Sequence, residues 1–107
     1  MYDILVIGSI NADLVFQTDK RPEVGETVLG NSFITVPGGK GANQAVAAAR
    51  LGAKVGFIGC VGDDANGRVM LENLQGQGVD IQGIRIIKGM STGVAGIVLS
   101  GGENSII

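Results

Sequence analysis

Gly38-Gly39-Lys40-Gly41-Ala42-Asn43-Gln44-Ala45-Val46-Ala47-Ala48-Ala49-Arg50-Leu51-Gly52 passes from a glycine loop straight into an alanine-rich run, with no turn residues between them. Residues 42–51 are predicted to be a helix whose small side chains pack closely on a sheet, with Gly52 as its stop. The glycines let main-chain N–H groups approach a small polar ligand, and the first helical turn adds donors and a partial positive charge. Upstream, Ile4-Leu5-Val6-Ile7 leads into Gly8-Ser9-Ile10-Asn11-Ala12-Asp13, so Asn11 and Asp13 are expected just beyond a buried first strand at 3–8. Ligand sites of open α/β sheets lie at such strand ends.

Downstream, residues 54–60 read as a second core strand. Asp63-Asp64-Ala65-Asn66-Gly67 offers a helix N-cap, and Val69, Met70, Leu71 and Leu74 supply an apolar face for a helix ending near Gly76 or Gly78. Two strand–helix units in succession predict an α/β fold with a doubly wound, mostly parallel sheet. Leu14-Val15-Phe16, Thr27-Val28-Leu29 and Phe33-Ile34-Thr35-Val36 are short β-prone pieces separated by turn-rich links, which predicts a small antiparallel excursion. Ile84–Ile87 and Thr92–Leu99 are further strands, followed by a Ser100–Asn104 turn and the start of a return strand at Ser105-Ile106-Ile107. A domain stopping there would leave an unpaired edge, so the sequence is expected to be part of a longer protein.

The chain has 107 residues, 45% hydrophobic and 17% charged, with a net charge of -2. That length suits one domain able to bury roughly two thirds of its unfolded surface. The charge gives no electrostatic grip on nucleic acid or anionic lipid. No stretch approaches the run of about 18 apolar residues needed to span a membrane. Met1-Tyr2-Asp3 lacks the basic start of a secretory signal, so a cytoplasmic protein is expected. Histidine is absent, which removes every Ser-His or Cys-His catalytic pair and the commonest zinc ligand. Cys60, the single cysteine, lies in an apolar run and reads as a buried small hydrophobe.

The glycine loop is not a P-loop, because Gly39-Lys40 is followed by Gly41 and residue 34 is isoleucine where G-x-x-x-x-G-K-[ST] needs glycine. Nor does Gly8-Ser9-Ile10-Asn11-Ala12-Asp13 fit G-x-G-x-x-G. The remaining reading is a polyol site: Asp13 accepts from two hydroxyls, Asn11 donates and accepts, and Lys40 with Asn43 donates from the loop. Against it stands a structural reading in which Asn11 and Asp13 are turn formers and the glycines serve backbone geometry. Asp63 and Asp64 read as capping residues in preference to metal ligands. Thr92–Ile97 reads as sheet packing able to form an apolar wall over a ligand.

Taken together, Gly8-Ser9-Ile10-Asn11-Ala12-Asp13, Pro22-x-x-Gly25-Glu26-Thr27, Gly38-Gly39-Lys40-Gly41-Ala42-Asn43-Gln44-Ala45, Gly62-Asp63-Asp64 and Ser91-Thr92-Gly93-Val94-Ala95 closely resemble the PfkB-type carbohydrate kinases along the whole chain. The likeness is greatest to the ribose-phosphorylating members. The resemblance implies an α/β kinase with a small antiparallel β lid, transferring the γ-phosphoryl of ATP, with Mg2+, to the 5-hydroxyl of D-ribose, with activation by K+. It implies sugar contacts from Asn11, Asp13, Gly39, Lys40 and Asn43, with Ala95 and Ile97 flanking the sugar from the lid. It further implies a homodimer formed through the lid. On this basis the core comprises the strand at 3–8 and β/α units at about 42–87, and the lid strands lie at about 14–36 and 92–107. The family's catalytic aspartate lies in a Gly-Ala-Gly-Asp motif that does not occur in these 107 residues. Residues 1–107 are therefore expected to hold the sugar site without the base, the ATP pocket or the cation site. Rival expectations are a PfkB-type kinase for another sugar or a nucleoside, and a non-catalytic sugar-binding or lid-dimerisation module.

Overall fold

A computed structural model describes residues 1–107. The chain divides into two compact units, Met1–Ala12 with Pro37–Gly93, and Asp13–Val36 with Val94–Ile107. The elements in chain order are β1 (Ile4–Ile7), β2 (Asn11–Gln17), β3 (Ser32–Gly38), α1 (Lys40–Arg50), β4 (Val55–Gly62), α2 (Ala65–Gly76), β5 (Val79–Asp80), β6 (Ile84–Ile87), β7 (Gly93–Ser100) and β8 (Glu103–Ile106).

In the first unit β4 is the central strand. It pairs in parallel with β1, Ile4 opposite Val55 through Ile7 opposite Ile58. Its other side takes β5 at Val55–Gly56 and β6 at Gly59–Gly62, both parallel. Thus β5 and β6 are two pieces of one interrupted strand. The interruption is a tight turn in which Asp80 accepts from the Gln82 N–H at 2.9 Å and Ile81 C=O accepts from the Ile84 N–H at 3.0 Å. Gly83 sits at this turn because a Cβ there would stand 2.6 Å from the Phe57 carbonyl oxygen.

Alternation along β4 buries Val55, Phe57 and Val61, and α1 and α2 cover that face with Ala42, Ala45, Met70 and Leu74. The helices lie side by side, with Arg50 Nε donating to Gln77 Oε1 at 2.8 Å. As predicted, α1 is stopped by Gly52 at φ 97°, and α2 ends at Gly76 before Gly78 at φ 91°. Helix α1 starts two residues before the predicted position, directly on Gly39.

The opposite sheet face corrects two expectations. The first strand is not buried on both sides, since Leu5 is 50% and Ile7 75% exposed. Cys60, on the same face of β4 as the exposed Ile58, is likewise exposed. The cause is the same: both helices of these residues lie on the other face. Val69 also departs from its assigned role, because it turns away from Met70 and Leu74 on α2 and is half-exposed.

The second unit belongs to a sheet of order β3-β2-β7-β8. The β7–β8 pair is antiparallel, and its turn is only Gly101-Gly102, tighter than the predicted Ser100–Asn104, so Glu103 and Asn104 already pair with Ser100 and Leu99. Arg21 braces this hairpin, donating from Nη2 to Glu103 C=O at 2.8 Å and from Nε to Ser105 Oγ at 2.9 Å. Thr27–Leu29 is not a strand, contrary to expectation. A Glu23–Glu26 turn precedes it, and Gly30-Asn31 carries the chain to the next pairing contact at Asn31 N–H to Gln17 C=O. Phe16 and Phe33 stack with centroids 4.9 Å apart yet remain about half exposed.

Candidate functional site

The glycine loop meets the end of β1 at a distance only glycine permits. A Cβ on Gly41 would stand 2.9 Å from Gly8 Cα, and one on Gly39 would collide with the Ser9 carbonyl oxygen. Gly39 also holds φ 97°, a conformation that L side chains rarely adopt. Ser9 C=O accepts from the Ala42 N–H at 3.2 Å, and Gly39 C=O from the Asn43 N–H at 2.9 Å. No side chain caps α1, so its N-terminus presents main-chain donors and the positive end of the helix dipole without a built-in anion.

Asn11 is brought to this loop. A Cβ on Gly39 would lie 3.1 Å from the Asn11 nitrogen, and one on Gly93 would lie 2.5 Å from Asn11 Oδ1. The half-buried Asn11 thus stands between two glycines of the first unit. Lys40 opens α1 and is exposed. Asn43, one turn on, lines an open groove of about 360 Å³ with Pro37, Val46, Arg50, Asn73 and Gln77. Asp13, Ala95 and Ile97 belong to the second unit, where each is half-buried. Ala95 and Ile97 are two apart on β7 and share one face of that strand.

Asp64, predicted as a cap, does more than cap. Its Oδ1 accepts from the Gly67 N–H at 2.8 Å and from the Thr92 hydroxyl at 2.7 Å, while Oδ2 accepts from the Thr92 N–H at 2.8 Å. The Thr92 oxygen in turn accepts from the Gly62 N–H at 2.9 Å. Gly67 is required here, since a Cβ would collide with the Gly62 carbonyl oxygen and stand 2.8 Å from Thr92 Oγ1. Thr92 is 3% exposed and precedes β7 instead of starting it, so its predicted strand role is corrected. Asp63, by contrast, is exposed and only 3.7 Å from Arg68 in a surface ion pair.

The hydrogen bonds from the Thr92 hydroxyl and N–H, then that from Gly67, hold the Asp64 carboxyl below the ordinary 3.8. A depressed folded value stabilises the fold above the unfolded pKa, and that contribution is lost as pH falls through the folded value. Urea midpoints of the wild-type protein and Asp64→Asn are therefore expected to differ at neutral pH and to converge as the pH drops below 3.8. A gap that persists undiminished to pH 2 would show that the carboxylate's charge is immaterial.

Residues 1–107 match the pfkB family carbohydrate kinases over their whole length. The chain is 57% identical over 107 residues to the ribokinase of Bacillus subtilis, all of this chain against 36% of that protein. It is 42% identical over 106 residues to the deoxyribokinase of Salmonella typhimurium, 98% of this chain against 35% of that one. The structure of Arabidopsis thaliana ribokinase complexed with ribose and ATP superposes with a TM-score of 0.90 at 38% identity, covering 99% of this chain and 35% of that one. The chain thus spans about a third of the length of these relatives. It has the ribokinase-like α/β fold and belongs to the pfkB family of carbohydrate kinases.

Proposed function

We propose that the protein is a ribokinase, which phosphorylates the 5-hydroxyl of D-ribose with ATP to give D-ribose 5-phosphate. The observation carrying this is the 57% identity to a ribokinase along all 107 residues, against 42% to a deoxyribokinase. In this reading Asp13 accepts hydrogen bonds from two sugar hydroxyls, Asn11 donates and accepts, and Lys40 and Asn43 donate. Gly39 brings its backbone against the sugar, and Ala95 and Ile97 form an apolar wall. Charge-assisted bonds of this type contribute about 1.5–3 kcal/mol each, which suits a small, very soluble ligand.

The nucleotide and its Mg2+ supply the phosphoryl group and the neutralisation of its charge when bound. No three His, Cys, Asp or Glu residues gather in residues 1–107. Their part is to bind and orient the acceptor. The catalytic aspartate, the ATP pocket and the K+ site belong to a Gly-Ala-Gly-Asp-bearing part of the full-length protein, and residues 1–107 alone are inactive. A cytoplasmic homodimer joined through the β lid completes the reading, and no helix is long and apolar enough to cross a membrane.

The test is ATP-dependent phosphorylation by the full-length protein of D-ribose, 2-deoxy-D-ribose, D-fructose, 2-keto-3-deoxygluconate and adenosine. Preferential turnover of ribose is expected. Preference for deoxyribose, which the 42% relative makes the second reading, would replace the assignment within the same family.

A further inference from the structure

We propose that Asp64 and Thr92 are positioning residues for Asn11, holding Gly93 as a wall against its side-chain amide. The inference rests on the reading of Asn11 as a sugar contact. All its parts lie within the first unit.

Thr92 is fixed at three points: its N–H and hydroxyl both donate to Asp64, and its oxygen accepts from the Gly62 N–H. Asp64 is itself anchored by capping α2 through Gly67, and the neighbouring Asp63 N–H donates to Ile87 C=O at 3.2 Å. The end of β4 and the start of α2 therefore converge on one threonine, with the end of β6 tied to them through Asp63. The next residue, Gly93, lies against the Asn11 side chain: a Cβ added there would stand 2.5 Å from Asn11 Oδ1, so the amide would have to move to admit it. A shift of Thr92 moves this wall, and a ligand-binding amide is sensitive to such displacements. A hydrogen bond to the ligand lost through misplacement costs up to about tenfold in affinity. Helix capping alone does not account for the pattern, since the Gly67 bond suffices for a cap and the other two bonds all run to Thr92.

Four variants of the full-length protein, Thr92→Val, Thr92→Ser, Asp64→Asn and Gly93→Ala, test this beside wild type and Asn11→Ala. Two readouts are taken: the D-ribose dissociation constant by calorimetry, and the Asn11 side-chain amide resonance in the sugar-free protein. Thr92→Val, Asp64→Asn and Gly93→Ala are expected to shift the amide resonance and weaken ribose binding roughly tenfold, while Thr92→Ser, which keeps the hydroxyl, restores both. Gly93→Ala keeps the proposal testable if Thr92→Val fails to fold, because Gly93 does not hold a positive φ. Ribose affinity unchanged in the folded variants, with Asn11→Ala weakened, overturns the positioning role and leaves the functional reading standing. Wild-type protein that does not bind ribose overturns the functional reading. The amide resonance then decides the positioning role alone, and an unmoved resonance rejects it.

Discussion

Phe57→Ala in the full-length protein is expected to lower the free energy of unfolding by about 3–5 kcal/mol. Phe57 is 1% exposed on the central strand β4 and is among the largest fully buried side chains. Two glycines shape the chain around it: a Cβ on Gly59 would stand 2.7 Å from its ring, and one on Gly83 2.6 Å from its carbonyl oxygen. Backbone packed this closely cannot collapse into the space left by a lost ring, so the cavity cost adds to the lost transfer energy. Val69→Ala on the exposed side of α2 is the comparison, with an expected change within about 0.5 kcal/mol. Urea titration of both variants checks the pair. A loss below 1 kcal/mol for Phe57→Ala would mean that the sheet–helix layer is not the seat of stability.

Asp13→Asn is expected to weaken D-ribose binding by about 1–3 kcal/mol, a rise of about 5- to 150-fold in dissociation constant. The substitution keeps size and strand propensity nearly constant while replacing a carboxylate acceptor by a neutral amide, one of whose ends can only donate. Asp13 lies on β2, two residues from Asn11, so strand alternation gives the two side chains the same face. Calorimetry with ribose, alongside unchanged thermal unfolding, is the check. Unaltered affinity would remove Asp13 from the sugar site.

Much of the core was legible because its signals are local. The alanines of α1 and the glycine after it, the apolar run of β4, and Asp64 before α2 each specify their element within a few residues, and each element is present, α1 starting two residues earlier and β4 ending two residues later than read. The Glu103–Ile106 strand was anticipated two residues late because Gly101-Gly102 makes a tighter turn than the polar run suggests. Cys60 and β1 were misread because a run of aliphatic residues reports that a strand wants cover on both faces, not which residues supply it. The Asp64–Thr92 node and the approach of Gly93 to Asn11 were beyond local reading, since they join residues far apart in the sequence. The one sequence sign was Gly67, three residues after the capping aspartate, where a helix gains nothing from glycine.

The open sheet face gives this protein a reporter it already carries. Cys60 is the only thiol of these 107 residues, and it stands on that face beside Ile58. Alkylation of Cys60 by a maleimide needs no engineered cysteine, and its rate measures how freely solvent reaches the face. Any element that seats against β1 and β4 will slow the labelling, and urea-driven loosening of that cover will restore it at a denaturant concentration that intact mass can follow.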